Sequence, residues 1–343
     1  MCSEKRNSKS QKPIKTFHNL SPMEFFLLFS GFLGTLRETP KIFFKNGKLM
    51  ASITLTTLVL YSLIYLPNIF SIKLLTRYLL KKEQLVLLST PASPEFNTIL
   101  FHLKQDLGIF IEVQWTYLII SSVFSLFLST VTIFGSAVIH EGKGSISFKN
   151  LLLKSLKSWK RPLVTWFYTT LLGSGFFCLF SLIVLPLALI VQTSTFYVFL
   201  ILLAIPASIL YVHMSVVWTL ALVISVLEEI CGNEAIGKAA QIVKGMKIHG
   251  FLLNLIFTAI FSILAEGMRW IGIPEAMTSF KLIFGCILII SISCLVMIVR
   301  LVAYTLFYFQ CKKTHGEEVE LQVNVGYSKL ATNASLLIGE NVP

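Results

Sequence analysis

The sequence predicts an all-α, polytopic transmembrane bundle. Six spans form three hairpins, and amphipathic helices lie along the membrane interface. Three observations predict this. Apolar residues make up 55% of the 343 and charged residues only 13%, against roughly 45–50% and 25% in soluble domains. Six stretches are long and apolar enough to cross a hydrocarbon layer about 30 Å thick. Lys and Arg gather on one side of those stretches, as the topology of membrane chains demands.

Residues 1–20 are basic and polar, the composition of a disordered arm. The predicted transmembrane domain occupies 21–311 and a loose tail 312–343. Ser21 and Glu24 have the spacing of a capping box, opening a short apolar helix over Phe25–Leu36. That helix is too short to span, so it is placed in the interface or against the bundle. The first span is Leu49–Ile72 and the second Val113–His140. Between them lies a long outer loop, 73–112, in which Leu100–Ile111 has helical spacing and is expected to cap the bundle. The uncharged run Pro162–Leu227 is far too long for one span. The polar break Gln192-Thr193-Ser194-Thr195 divides it into helices at about Leu163–Val191 and Phe196–Leu220. The fifth span is Ile248–Ala265 and the sixth Leu282–Cys311, interrupted only by Arg300. Backbone groups in lipid must bond within their own segment, so all six are helices.

Each odd-numbered span is preceded by a basic amphipathic segment: Lys41–Lys48, Leu151–Arg161 and Ala235–Lys247. Each segment ends in two lysines three apart, Lys45/Lys48, Lys157/Lys160 and Lys244/Lys247. That spacing is nearly one turn, so each pair is expected to share a face turned toward lipid phosphates. The arm, these segments and the tail carry 21 Lys and Arg, and the opposite loops seven. Both termini are therefore expected in the cytosol. The sequons at Asn19 and Asn333 are then expected to carry no glycan. Pro186 and Pro206 are read as the mid-span prolines.

The net charge of +12 lies beside the spans, which points to anionic headgroups of the bilayer rather than to nucleic acid. The six cysteines form no C-x-x-C pair, so neither a disulfide framework nor a metal site is indicated. Cys2, Cys231 and Cys311 lie near the expected cytosolic face and are candidates for lipidation.

Arg300 is the most informative single residue. A charge at depth costs at least about 2.5–3.5 kcal/mol, so it must face protein, water or a partner. It is read either as an anion or headgroup contact inside the bundle, or as a structural residue. The structural readings are snorkelling, a bond to a carbonyl, or a bond to Glu228 or Glu229. Glu266 and Arg269 stand three apart, the spacing of a helical ion pair. His213 is a lone histidine on an apolar helix with no carboxylate or second histidine one turn away. With Asn254 and Gln192 it is a candidate for a polar path at mid-depth. The chain holds no G-x-S-x-G, H-E-x-x-H or phosphate-loop motif. Asp106 is its only aspartate, which weighs against magnesium-dependent phosphoryl chemistry.

Three groups of residues carry a resemblance. They are Gly31–Glu38, then Val217–Glu228 with Gly232–Ala235 and Lys244-Gly245, then Tyr308–Glu317. Together they resemble a plant family of uncharacterised multi-pass membrane proteins. The second group is distantly similar to the non-catalytic membrane domain of some bacterial glycerophosphodiester phosphodiesterases. The resemblance implies an architecture and a plant membrane, plasma membrane or endomembrane. It implies no activity and no cofactor. The expected function is that of a non-enzymatic scaffold that organises lipid, protein partners or a homo-oligomer. The alternative is a small-solute or ion transporter or channel using Arg300 and the Glu266/Arg269 pair. A membrane-embedded lipid enzyme is the third reading.

Overall fold

A computed structural model describes residues 22–88, 94–142, 147–190, 193–228, 230–272 and 279–316. Among these the secondary structure is helical throughout. The helices are α1 (Pro22–Lys45), α2 (Gly47–Leu88), α3 (Pro94–Glu141), α4 (Phe148–Ser158), α5 (Lys160–Ile190), α6 (Thr193–Leu227), α7 (Gly232–Val243), α8 (Lys247–Gly272) and α9 (Ser279–Thr314). Six of them, α2, α3, α5, α6, α8 and α9, are long and apolar enough to cross a membrane. They pair as the three expected hairpins, and a helix precedes each: α1, α4 and α7.

The three preceding helices and the starts of α2, α5 and α8 share one end of the bundle, termed here the basic end. The expected lysine pairs lie there, but not on one face of a single helix. Each pair straddles a break in the chain. Asn46 separates α1 from α2, and its side chain accepts the Leu49 N–H at 3.4 Å, which caps the new helix. Trp159 separates α4 from α5. The turn at Lys244–Met246 separates α7 from α8, with its N–H groups bonded back to Gln241 and Val243. All six lysines are exposed.

The outer loop is corrected. Residues 73–88 continue α2 and 94–112 belong to α3, so no separate capping helix forms at Leu100–Ile111. The two helices contain 42 and 48 residues. At 1.5 Å each they are about 63 and 72 Å long, well beyond the hydrocarbon layer. Lys82 binds Asp106 across this extension and lies over the Tyr78 ring. The lengthening also puts Pro67 in the interior of α2, so Pro186 and Pro206 are not the only mid-helix prolines of spans. Phe25–Leu36 and Lys41–Lys45 prove to be parts of one helix, α1. Lys312–Thr314, expected in the tail, form the last turn of α9. Ser21, the arm 1–20, both sequons, Gln192, Glu229 and the tail beyond Gly316 lie outside the described residues.

The core sits toward the basic end. In α9 every residue from Leu301 to Phe309 is buried, and the helix packs against α1, α2, α3, α6, α7 and α8. It is the pillar of the fold. Facing it are Val216–Leu227 of α6 and Leu128–Ile139 of α3, nearly all buried. The preceding helix α1 does not lie free on the surface. Phe32, Thr35, Thr39 and Ile42 recur at helical spacing and are all buried, while Phe44 is 85% exposed. On α7 the buried face is Gly232, Ala235, Ala239, Ile242 and Val243, small enough to approach α5 and α6 closely. Gly232 has φ +62, a conformation that favours glycine. Its N–H bonds to Thr165 Oγ1 at 2.9 Å, which pins the start of α7 to α5. The hairpin α5/α6 stands outermost: the most apolar stretch of each helix holds no buried residue.

Candidate functional site

Arg300 lies in α9, fourteen residues or about 21 Å before the helix end at Thr314. One terminal nitrogen, Nη2, donates to Thr219 Oγ1 of α6 at 3.1 Å and approaches Asn254 Oδ1 of α8 at 3.5 Å. Thr219 in turn donates to the carbonyl of Ser215, and Asn254 donates to the carbonyl of Val212 at 3.0 Å. The guanidinium also sits over the Tyr304 ring, 5.6 Å from its centroid. Its Nε is buried without a partner. Among the described residues no carboxylate pairs with it.

Of the structural readings of Arg300, the bond to Glu228 does not form. Glu228 directly follows α6, about 13 Å from Thr219 by helical rise, and it gathers a different set of partners. Tyr308 Oη donates to its Oε1 at 2.5 Å. Lys312 Nζ lies 3.3 Å from the same oxygen, and Lys238 Nζ lies 2.7 Å from Oε2. Burial alone would raise this carboxyl. Hydrogen bonds from Lys238 and Tyr308, with the charge of Lys312, outweigh burial and hold it below its ordinary value of 4.5. The cluster ties the ends of α6, α7 and α9 together.

Arg300 borders a cavity of about 530 Å³ between α5, α6 and α9. Trp166, Thr170, Gly173, Ser215, Trp218 and Thr219 are among the residues lining it. On α5 the lining residues recur at one helical face and are small or hydroxylated at Thr169, Thr170, Gly173 and Ser174. The missing side-chain bulk opens the space. The Trp218 indole N–H is, like Arg300 Nε, buried without a partner. A pocket with an arginine and, among the described residues, no carboxylate in its lining suits an anionic group.

The remaining expected residues fall elsewhere. Glu266 and Arg269 pair with each other at 2.9 Å, with side chains 56% and 74% exposed. They lie twelve residues and more along α8 from Asn254, about 18 Å or beyond, and do not share the Arg300 cavity. His213 is half-buried on α6 beside Val212 and meets no second ligand; no cluster of three metal-ligating side chains occurs among the described residues. Cys231 is exposed just before α7. Cys311 is fully buried with its thiol against Met246, so the lipidation expected there has no access to it. Cys2 lies outside the described residues.

Sequence reasoning missed the buried histidine. His249 is fully buried and its Nε2 lies 3.0 Å from Thr35 Oγ1. That hydroxyl also lies within hydrogen-bond distance of Gln310 Oε1 at 2.9 Å and of the Gly31 carbonyl at 3.2 Å, so it links α1, α8 and α9. The ring packs against Phe32 and Phe307. The position beside Lys247 at the start of a span reads as interfacial, and only the seating of α1 against α8 and α9 buries it. Thr35 and Gln310 do fall in two of the resemblance segments.

A family model described as Domain of unknown function (DUF8558) matches residues 23–330, about nine-tenths of the chain. No curated protein and no solved structure matches.

Proposed function

The chain belongs to the DUF8558 family, and we propose that it is a non-enzymatic multi-pass membrane protein whose basic end gathers anionic headgroups and protein partners. The observation that carries the reading is the position of Lys45, Lys48, Lys157, Lys160, Lys244 and Lys247. All six are exposed, and they lie in three pairs at the three joints where a short helix turns into a span. A lysine at a membrane surface contributes about 1 kcal/mol of attraction to anionic lipid, so the set acts together. In this reading the basic end faces the cytosol, in the plasma membrane or an endomembrane, with both termini on that side. Cys231 at the start of α7 is open to acylation there.

Replacing Lys157, Lys160, Lys244 and Lys247 by Gln should sharply reduce the acidic phospholipid that co-purifies with the protein. An unchanged lipid content would defeat the proposal. Glycan on Asn333 of the native protein would reverse the orientation.

A second reading, movement of a small solute or ion, has the cavity at Arg300 in its favour. The Glu266/Arg269 pair lends it no support, being exposed and distant from that cavity. Flux into proteoliposomes that Arg300→Ala abolishes would place this reading first.

A further inference from the structure

The groove between α5 and α9, floored by α6, is a built polar site in the part of the chain that faces lipid. α5 packs on α6 and α7, and its small face stands away from α9. The pocket's cation is only partly satisfied: beside the Tyr304 ring, a single guanidinium nitrogen makes the contacts to Thr219 and Asn254. Arg300 Nε and the Trp218 indole N–H have no acceptor. Hydrocarbon alone in this space would leave the half-buried guanidinium in its lining without a counter-charge. Among the described residues no carboxylate lines it. Phe177, which lines the groove, is 56% exposed and continues it as an apolar surface. The occupant that fits has an acidic head and a hydrocarbon chain.

We propose that this groove binds the acidic headgroup, phosphate or carboxylate, of a membrane amphiphile entering sideways from the lipid, with the head on Arg300 and the chain along α5. The site stands apart from the surface lysines, which lie at the basic end. It holds whether or not those lysines gather lipid.

Two of the five tryptophans, Trp166 and Trp218, line the groove and report on it by fluorescence. The test uses the full chain in nanodiscs with Trp115, Trp159 and Trp270 changed to Phe. Brominated phosphatidylglycerol and brominated phosphatidylcholine are compared as quenchers. The expected result is a roughly tenfold preference for the acidic lipid, the factor a charge-assisted contact supplies. Arg300→Gln should abolish the preference. Gly173→Leu, which fills the groove while keeping the arginine, should do the same and serves if the first variant fails to fold. The four-lysine variant should keep it. Displacement of the brominated lipid by millimolar inorganic phosphate would keep the anion site and assign it to a soluble anion. Equal quenching by the two lipids, or a preference that survives both groove variants, overturns the proposal.

Discussion

Glu228→Gln probes the joint that holds the basic end together. The substitution keeps the size and one acceptor, so Tyr308 retains a partner. It removes the charge that compensates Lys312 and Lys238. Lys312 has a side chain only 10% exposed and Glu228 one 15% exposed, so this half of the cluster is shielded from water. Breaking a buried pair by removing one partner costs about 3–5 kcal/mol. Lys238 is 31% exposed and contributes toward the low end of its range. With the Tyr308 bond kept, a loss of about 3 kcal/mol is expected. Unfolding entropy of about 2.1 cal/mol/K per residue over 343 residues converts this to a fall of about 4 °C in Tm in detergent. The carboxyl is held below its ordinary 4.5 in the fold. Its stabilisation is therefore fully present above that value and is lost as the pH falls through the lower, folded value. Wild-type Tm should drop on acidification below about 4.5, and Glu228→Gln should flatten that part of the curve. Adding Lys312→Met to Glu228→Gln should recover part of the loss. A variant melting within 1 °C of wild type near neutral pH, with an unaltered acid limb, would refute the electrostatic account of this joint.

Glycine substitutions should separate two kinds of contact. A Cβ at Gly250 would meet Val216 Cγ1 at 2.8 Å and Phe307 at 3.1 Å, both in the core. Gly250→Ala should thus cost about 1–3 kcal/mol by thermal melting. At Gly135 the close atom is Ile53 Cδ1 at 2.7 Å, the far end of a flexible side chain, so Gly135→Ala should be the milder change; equal losses would contradict the packing described. Thr35→Val removes the hydroxyl between His249 and Gln310, and should lower stability by about 1–3 kcal/mol, read as earlier unfolding in size-exclusion thermal assays. A membrane-permeant maleimide should label Cys231 in the folded protein and spare Cys311 until denaturation; rapid labelling of Cys311 would show that α9 is not seated as described.

The number, order and pairing of the spans were legible because each depends on short-range rules. A helix in lipid bonds within itself, and the layer's thickness sets its minimum length. The same rules gave no upper limit. Beyond the lipid, Lys81-Lys82-Glu83-Gln84 lowers hydropathy without opposing the helix, so the extensions of α2 and α3 read as a loop. The lysine pairs were located correctly, but spacing alone carries no sign of the breaks at Asn46, Trp159 and Lys244–Met246 that keep each pair off a single helix. Arg300 and Asn254 were singled out separately, and the structure brings them together with Thr219. Trp218 and Gly173, which wall the cavity and give it room, had no signal beyond Trp218 falling in a resemblance segment.

The sequence by itself determined an all-helical chain with six spans and a basic end, since burial in lipid and helix length are properties of a segment and its solvent. The tertiary structure decided the partners. Arg300 meets Thr219 from 81 residues away and Glu228 meets Tyr308 from 80, while Thr35 reaches Gln310 across 275. A helical period says which residues share a face, but which neighbour that face meets depends on how the helices pack, and that is not written in any one of them.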